Sequence, residues 1–71
     1  MKMNHEGLTL VAYESTYESI TGFKVYRSRE QVATLEKRNS EWIAAFLVGL
    51  KVVTFTNESF DFCLNKLNRL V

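Results

Sequence analysis

The chain has 71 residues, a formal net charge of +1, no proline, one histidine and one cysteine. Its length makes a single domain of residues 1–71, and with 46% hydrophobic and 24% charged residues it is globular rather than disordered. The near-neutral charge excludes a global basic field for nucleic acid or membrane, the lone Cys63 excludes an intrachain disulfide, and His5 with Cys63 gives too few ligands for a zinc centre.

Residues 1–7 are polar and read as a flexible tail. Leu8–Tyr13 is short and rich in β-favouring side chains, which predicts a strand. Residues 14–22 are polar and end in Gly22, so they read as a connection. Phe23–Arg27 alternates Phe23 and Val25 against Lys24 and Tyr26, a second strand that forms a hairpin, Leu8–Arg27, with the first.

Ser28-Arg29-Glu30-Gln31 has the form of a capping box. After it, Val32, Leu35, Trp42, Ile43, Phe46 and Leu47 fall within an arc of roughly 140° on a helical wheel. The expectation is a helix Arg29–Val48, stopped by Gly49 in the left-handed conformation that ends many helices. Glu36 and Asn39 are polar residues inside that arc. Leu50–Phe55 is β-branched and aromatic and predicts a third strand. Thr56 or Asn57 then caps a helix Asn57–Leu70, whose Phe60, Cys63, Leu64, Leu67, Leu70 and Val71 recur at helical spacing. Glu58 and Asp61 near its start and Lys66 and Arg69 near its end suit the helix dipole.

The fold class that follows is α+β: a ββαβα domain, with a three-stranded sheet covered on one face by two helices. A competing reading makes Gln31–Arg38, Glu41–Val48 and Leu50–Phe55 strands, with turns at Arg38-Asn39-Ser40 and Val48-Gly49. That alternative is a β-meander of four to five strands followed by one C-terminal helix.

Nothing in the chain assembles chemistry. Nucleophilic catalysis needs a nucleophile, a base and an orienting group within reach, and the only histidine, His5, lies in the tail. Cys63 sits on the apolar arc of the last helix, as a small buried hydrophobe does. Gly7, Gly22 and Gly49 are scattered and form no phosphate loop. The reading is therefore non-enzymatic, with no cofactor and no metal.

Four residues stand out as candidates for partner binding. Phe62 points away from the apolar arc of the last helix, beside Arg69, and an aromatic aimed at solvent is the usual anchor of an interface. Glu36 is a carboxylate within an apolar arc, and Tyr26 lies on the sheet face that no helix covers. These residues imply a small protein–protein interaction module that docks on a protein partner, as an accessory, inhibitor or antitoxin-like regulator does. Two alternatives belong to other classes. Lys24, Arg27, Arg29, Lys37 and Arg38, with Tyr26 among them, are a diluted basic segment for a weak nucleic-acid-binding regulator. A domain this small buries only about 60% of its unfolded surface, which points to a self-assembling structural subunit, most simply a homodimer. No apolar run reaches the roughly 20 residues of a membrane span, and the polar start lacks a signal-peptide core. With a free thiol, the expected location is cytoplasmic.

Overall fold

The structure, a computed structural model, describes residues 2–14 and 21–71. Among them are six strands and one helix: β1 (Lys2–His5), β2 (Leu8–Glu14), β3 (Thr21–Arg27), β4 (Glu30–Arg38), β5 (Glu41–Val48), β6 (Lys51–Asn57) and α1 (Phe60–Leu70). The strands form one antiparallel sheet in the order β1-β2-β3-β4-β5-β6, each paired with its neighbour in sequence. The connection expected over residues 14–22 lies mostly outside the described residues.

This overturns the three-stranded sheet covered by two helices, and the meander with one C-terminal helix is the architecture found. The expected helix Arg29–Val48 is instead β4 and β5, paired from Ala33↔Phe46 to Arg38↔Glu41. The physical reason lies in the period of burial. Ala33, Leu35, Ala44 and Phe46 are buried, while Thr34, Glu36, Ile43, Ala45 and Leu47 alternate with them on the other face, which is the two-residue period of a strand. A helical arc had to hold Trp42 with Ile43 and Phe46 with Leu47 on one side. The sheet separates each pair, and Leu47 is 65% exposed. Glu36 and Asn39, the polar intruders in the helical arc, become a residue of the outer sheet face and a residue of a turn.

The turns explain the misplaced capping signals. Four hairpins close with two-residue loops, Glu6-Gly7, Ser28-Arg29, Asn39-Ser40 and Gly49-Leu50. The first residue of each has positive φ, at 45°, 60°, 56° and 64° respectively. Such primed turns match the right-handed twist of the flanking strands. Ser28 thus serves a hairpin rather than a helix cap. Gly49 also turns a hairpin rather than ending a helix, because the same left-handed freedom suits both tasks. Lys2–His5, read from the sequence as tail, pairs with β2 as an edge strand.

The helix begins at Phe60, later than expected. Its N-cap is Ser59, whose hydroxyl accepts from the Phe62 N–H at 3.1 Å, while Asn57 Oδ1 accepts from the Ser59 N–H at 2.8 Å. The helix lays Cys63, Leu64 and Leu67 on the sheet face that presents Leu8, Leu10, Phe23, Val25, Ala33, Leu35, Ala44 and Phe46. An aromatic cluster locks its first turn: Phe60 is 4.7 Å from Trp42 and 5.5 Å from Phe23, centroid to centroid. Its second half is held by polar contacts to the β1–β2 turn and to β3. Asn68 accepts from Arg27 Nη2 at 2.9 Å and donates to Glu6 at 3.2 Å, and His5 Nε2 lies 3.1 Å from Asn65 Oδ1.

Candidate functional site

A single open sheet has two edges, and the hairpin geometry fixes which backbone groups each leaves free. In a two-residue hairpin the closing residues exchange both hydrogen bonds, and bonded pairs then recur at every second residue. The β5–β6 hairpin closes on Val48↔Lys51. Lys51, Val53, Phe55 and Asn57 therefore direct their N–H and C=O groups to β5. Val52, Thr54 and Thr56 direct theirs outward, where no strand of the sheet meets them. The same rule applied to β1 leaves Lys2 and Asn4 outward.

The two edges are built differently. β1 is four residues long, with a lysine and an asparagine along its rim, which are the means by which proteins blunt an edge against pairing. β6 is seven residues long, β-branched at Val52, Val53, Thr54 and Thr56, and carries Lys51 as its only charge.

Exposed apolar side chains concentrate at the β6 edge. Among the described residues the exposed large hydrophobics are Leu47, Val48, Leu50, Val52, Val53, Phe62 and Leu70. Five belong to the β5–β6 hairpin, with Leu50 fully exposed at its tip. The other two, Phe62 and Leu70, lie with Lys66 at i, i+4 and i+8 of α1, one ridge along the helix. Lys66 Nζ sits 4.7 Å from the Phe55 ring centroid, so this ridge is the flank of the helix that faces β6. Isolated exposed apolar residues are ordinary; here Leu47 and Val52 are cross-strand partners on the outer face, while Val48 and Val53 lie on the helix face. On the outer face of the sheet the same region carries a shallow groove of about 230 Å³, lined by Val32, Thr34, Ala45, Leu47 and Val52 among others.

The residues singled out from the sequence do not converge on one place. Phe62 is 46% exposed and belongs to the β6 flank. Arg69 is exposed in the last turn of the same helix. Tyr26 and Glu36 lie across the sheet, on the outer face of β3 and β4. Glu36 accepts a hydrogen bond from the Tyr13 hydroxyl at 2.7 Å and has Arg38 at 3.8 Å. Burial, followed by this bond to a carboxylate, pushes the Tyr13 phenol up to about 12. The carboxylate taken for an interface group thus has an internal partner. The five cations are split as well. Lys24 and Arg38 are on the outer face, Arg27 and Lys37 on the helix face, and Arg29 in a turn. Lys24 and Lys37 rest near the Tyr13 and Trp42 rings, at 6.0 and 5.9 Å from the centroids.

Cys63 is fully buried, with its sulfur 3.8 Å from the Trp42 carbonyl and 3.9 Å from that of Asn57. Burial pushes its thiol pKa up, as for an inert structural cysteine. Among the described residues no group of three or more His, Cys, Asp or Glu side chains is placed to hold a metal ion, and no helix is long and apolar enough to cross a membrane.

Sequence reasoning found Phe62 through helical period but missed Leu47, Val48, Leu50, Val52 and Val53. Their signal was present in the meander reading, where alternation sends Leu47 and Val52 outward on either side of Gly49. Comparison with protein-family models, with curated proteins and with solved structures gives no match.

Proposed function

We propose that the chain is a non-catalytic protein-binding module that works through the β5–β6 hairpin and the open edge of β6. One observation carries this reading: every large apolar side chain exposed among the described residues lies on that hairpin or on the two flank and end positions of α1, Phe62 and Leu70. An extended segment added to β6 satisfies the outward backbone groups of Val52, Thr54 and Thr56, and the neighbouring apolar side chains supply the buried contact. This is recognition by strand addition, in which main-chain bonds give affinity and flanking side chains give selectivity.

The test is capture of protein by the immobilised wild-type chain and by a chain carrying Val52→Lys with Leu50→Ser. Both positions are exposed, so the fold is kept, and a lysine on the rim is a natural guard against pairing. A defined protein, a second copy of the chain included, is expected on the wild type and not on the double variant. Equal capture by both refutes the proposal. The alternative, a weak nucleic-acid-binding regulator, draws on Lys24, Arg27, Arg29, Lys37 and Arg38, which are spread over both faces and a turn.

A further inference from the structure

We infer that β6 takes as its added strand the β6 of a second copy, running antiparallel about a two-fold axis beside Thr54. This rests on the reading of the β6 edge as the interaction surface, and names its occupant. The outward groups themselves select the register. They belong to Val52, Thr54 and Thr56, a set symmetric about its middle member. A two-fold axis at Thr54 lays Val52 opposite Thr56 of the second copy, Thr54 opposite Thr54, and Thr56 opposite Val52. Each facing pair is then a hydrogen-bonded pair of the antiparallel pattern, and every outward N–H and C=O of the strand is used. An axis at Val53 sets Thr56 against Leu50, which lies in the hairpin turn. An axis at Phe55 sets Val52 against Glu58, beyond the strand end. Both leave outward groups unmet.

The side chains agree with that register. On the helix face Val53 meets Phe55 of the second copy, a β-branched and aromatic pair of the kind that stabilises neighbouring strands. Lys51, the strand's only charge, falls opposite Asn57, so no like charges face each other. An axis perpendicular to the sheet keeps both helices on one side of the joined strands. Lys66, 4.7 Å from the Phe55 ring centroid, and Phe62 one turn before it are on the flank of each helix that faces this edge. Each copy uses β6 alone, and the lysine-bearing β1 ends the joined sheet at both extremes. The contact is isologous and closes at two copies rather than growing into a filament.

Thr54 is exposed on the outer face, so substituting it leaves the core intact, yet only in this register does it face itself. Sedimentation equilibrium of the wild-type chain is expected to give twice the 8.2 kDa chain mass. Thr54→Lys and Thr54→Glu each set like charges opposite one another. Each is expected to give the single-chain mass with a wild-type far-ultraviolet circular dichroism spectrum, and their equimolar mixture restores the doubled mass. In addition, Thr54→Cys brings two Cα atoms to about 5.5 Å, the spacing of a bonded antiparallel pair, which a disulfide spans. Mild oxidation then links Thr54→Cys into a covalent dimer but leaves Val52→Cys unlinked. A dimer indifferent to both charge variants, or a mixture that stays at single-chain mass, overturns the register. A monomeric wild type overturns self-pairing. If that monomer still captures a host protein through Val52 and Leu50 the edge reading stands, and if it captures nothing both fall.

Discussion

Leu67→Ala tests whether the single helix is what holds this sheet. Leu67 is fully buried and central in α1, with Cys63 and Leu64 as its buried neighbours on the helix. Truncating a fully buried leucine costs about 2–5 kcal/mol, the lost transfer energy plus the cavity left behind. For 71 residues the whole stability is about 4–11 kcal/mol, at roughly 0.05–0.15 kcal/mol per residue. The variant therefore removes about a fifth or more of what is available, and the largest cost set against the smallest stability unfolds the chain outright. The measurement is urea unfolding followed by Trp42 fluorescence and by circular dichroism. Trp42 is the only tryptophan and its ring is 4.7 Å from that of Phe60, so it reports on helix docking. Both chains carry Thr54→Lys, so that association does not add to stability. The expected result is a lower midpoint at unchanged slope, with both probes moving together. Arg69→Ala, on the exposed side of the same helix, is expected to stay within about 0.5 kcal/mol. A Leu67→Ala cost below about 1 kcal/mol, or a tryptophan transition that separates from the loss of strand signal, refutes the helix as the cover of the core.

Tyr13 predicts an alkaline weakening. Its phenol is raised from 10.0 to about 12 in the folded chain, so below pH 10 it is protonated in both states and its contribution is complete. As pH rises from about 10 to about 12 the unfolded chain ionises first, and stability falls. The gap sets a ceiling of about 2.7 kcal/mol, which partial exposure lowers to roughly 1–2 kcal/mol; Tyr13→Phe removes this slope from unfolding curves taken across that window, and an unchanged slope refutes it. The two glycines Gly22 and Gly49 separate space from backbone. A Cβ at Gly22 falls 2.8 Å from the Tyr13 ring, whereas at Gly49 it meets nothing but the residue sits at φ +64°. Gly49→Ala is expected to cost about 1 kcal/mol from the left-handed backbone alone. Gly22→Ala must displace the Tyr13 ring and is expected to lower the phenol pKa in a spectrophotometric titration, an effect Gly49→Ala lacks.

What the sequence revealed depended on how local each cause is. The terminal helix was legible because Phe60, Cys63, Leu64 and Leu67 repeat at helical spacing and a capping residue precedes them; only the cap moved, from Thr56 or Asn57 to Ser59. β2, β3 and β6 were legible from β-branched and aromatic runs. The middle of the chain was not, because Val32, Leu35, Trp42, Ile43, Phe46 and Leu47 fit one helical arc as well as two strands. Short apolar doublets such as Trp42-Ile43 satisfy either period. What decides is whether backbone partners exist, and β3 and β6 provide them on both sides of β4–β5. Phe62 could be read as exposed from α1 alone. The edge could not, since whether β6 ends the sheet or lies within it depends on every other pairing.

The position of the exposed apolar residues follows from how a meander with one helix must be covered. The helix spans one face, and its aromatic and polar anchors, Phe60 on Trp42 and Asn68 on Arg27, draw it across the middle strands toward the β1–β2 turn. The opposite corner, where β5 and β6 meet at Gly49-Leu50, receives little of it. That corner carries Leu47, Val48, Leu50, Val52 and Val53, all exposed. Among the described residues eleven buried side chains make the core, and a domain of this size without a staple gains little from its core alone. Extending the sheet across β6 adds apolar contact at the place where the helix does not reach. Of the corner residues Val52 and Val53 lie on the joined strand itself, and stability should rise with protein concentration for the wild type but not for Thr54→Lys.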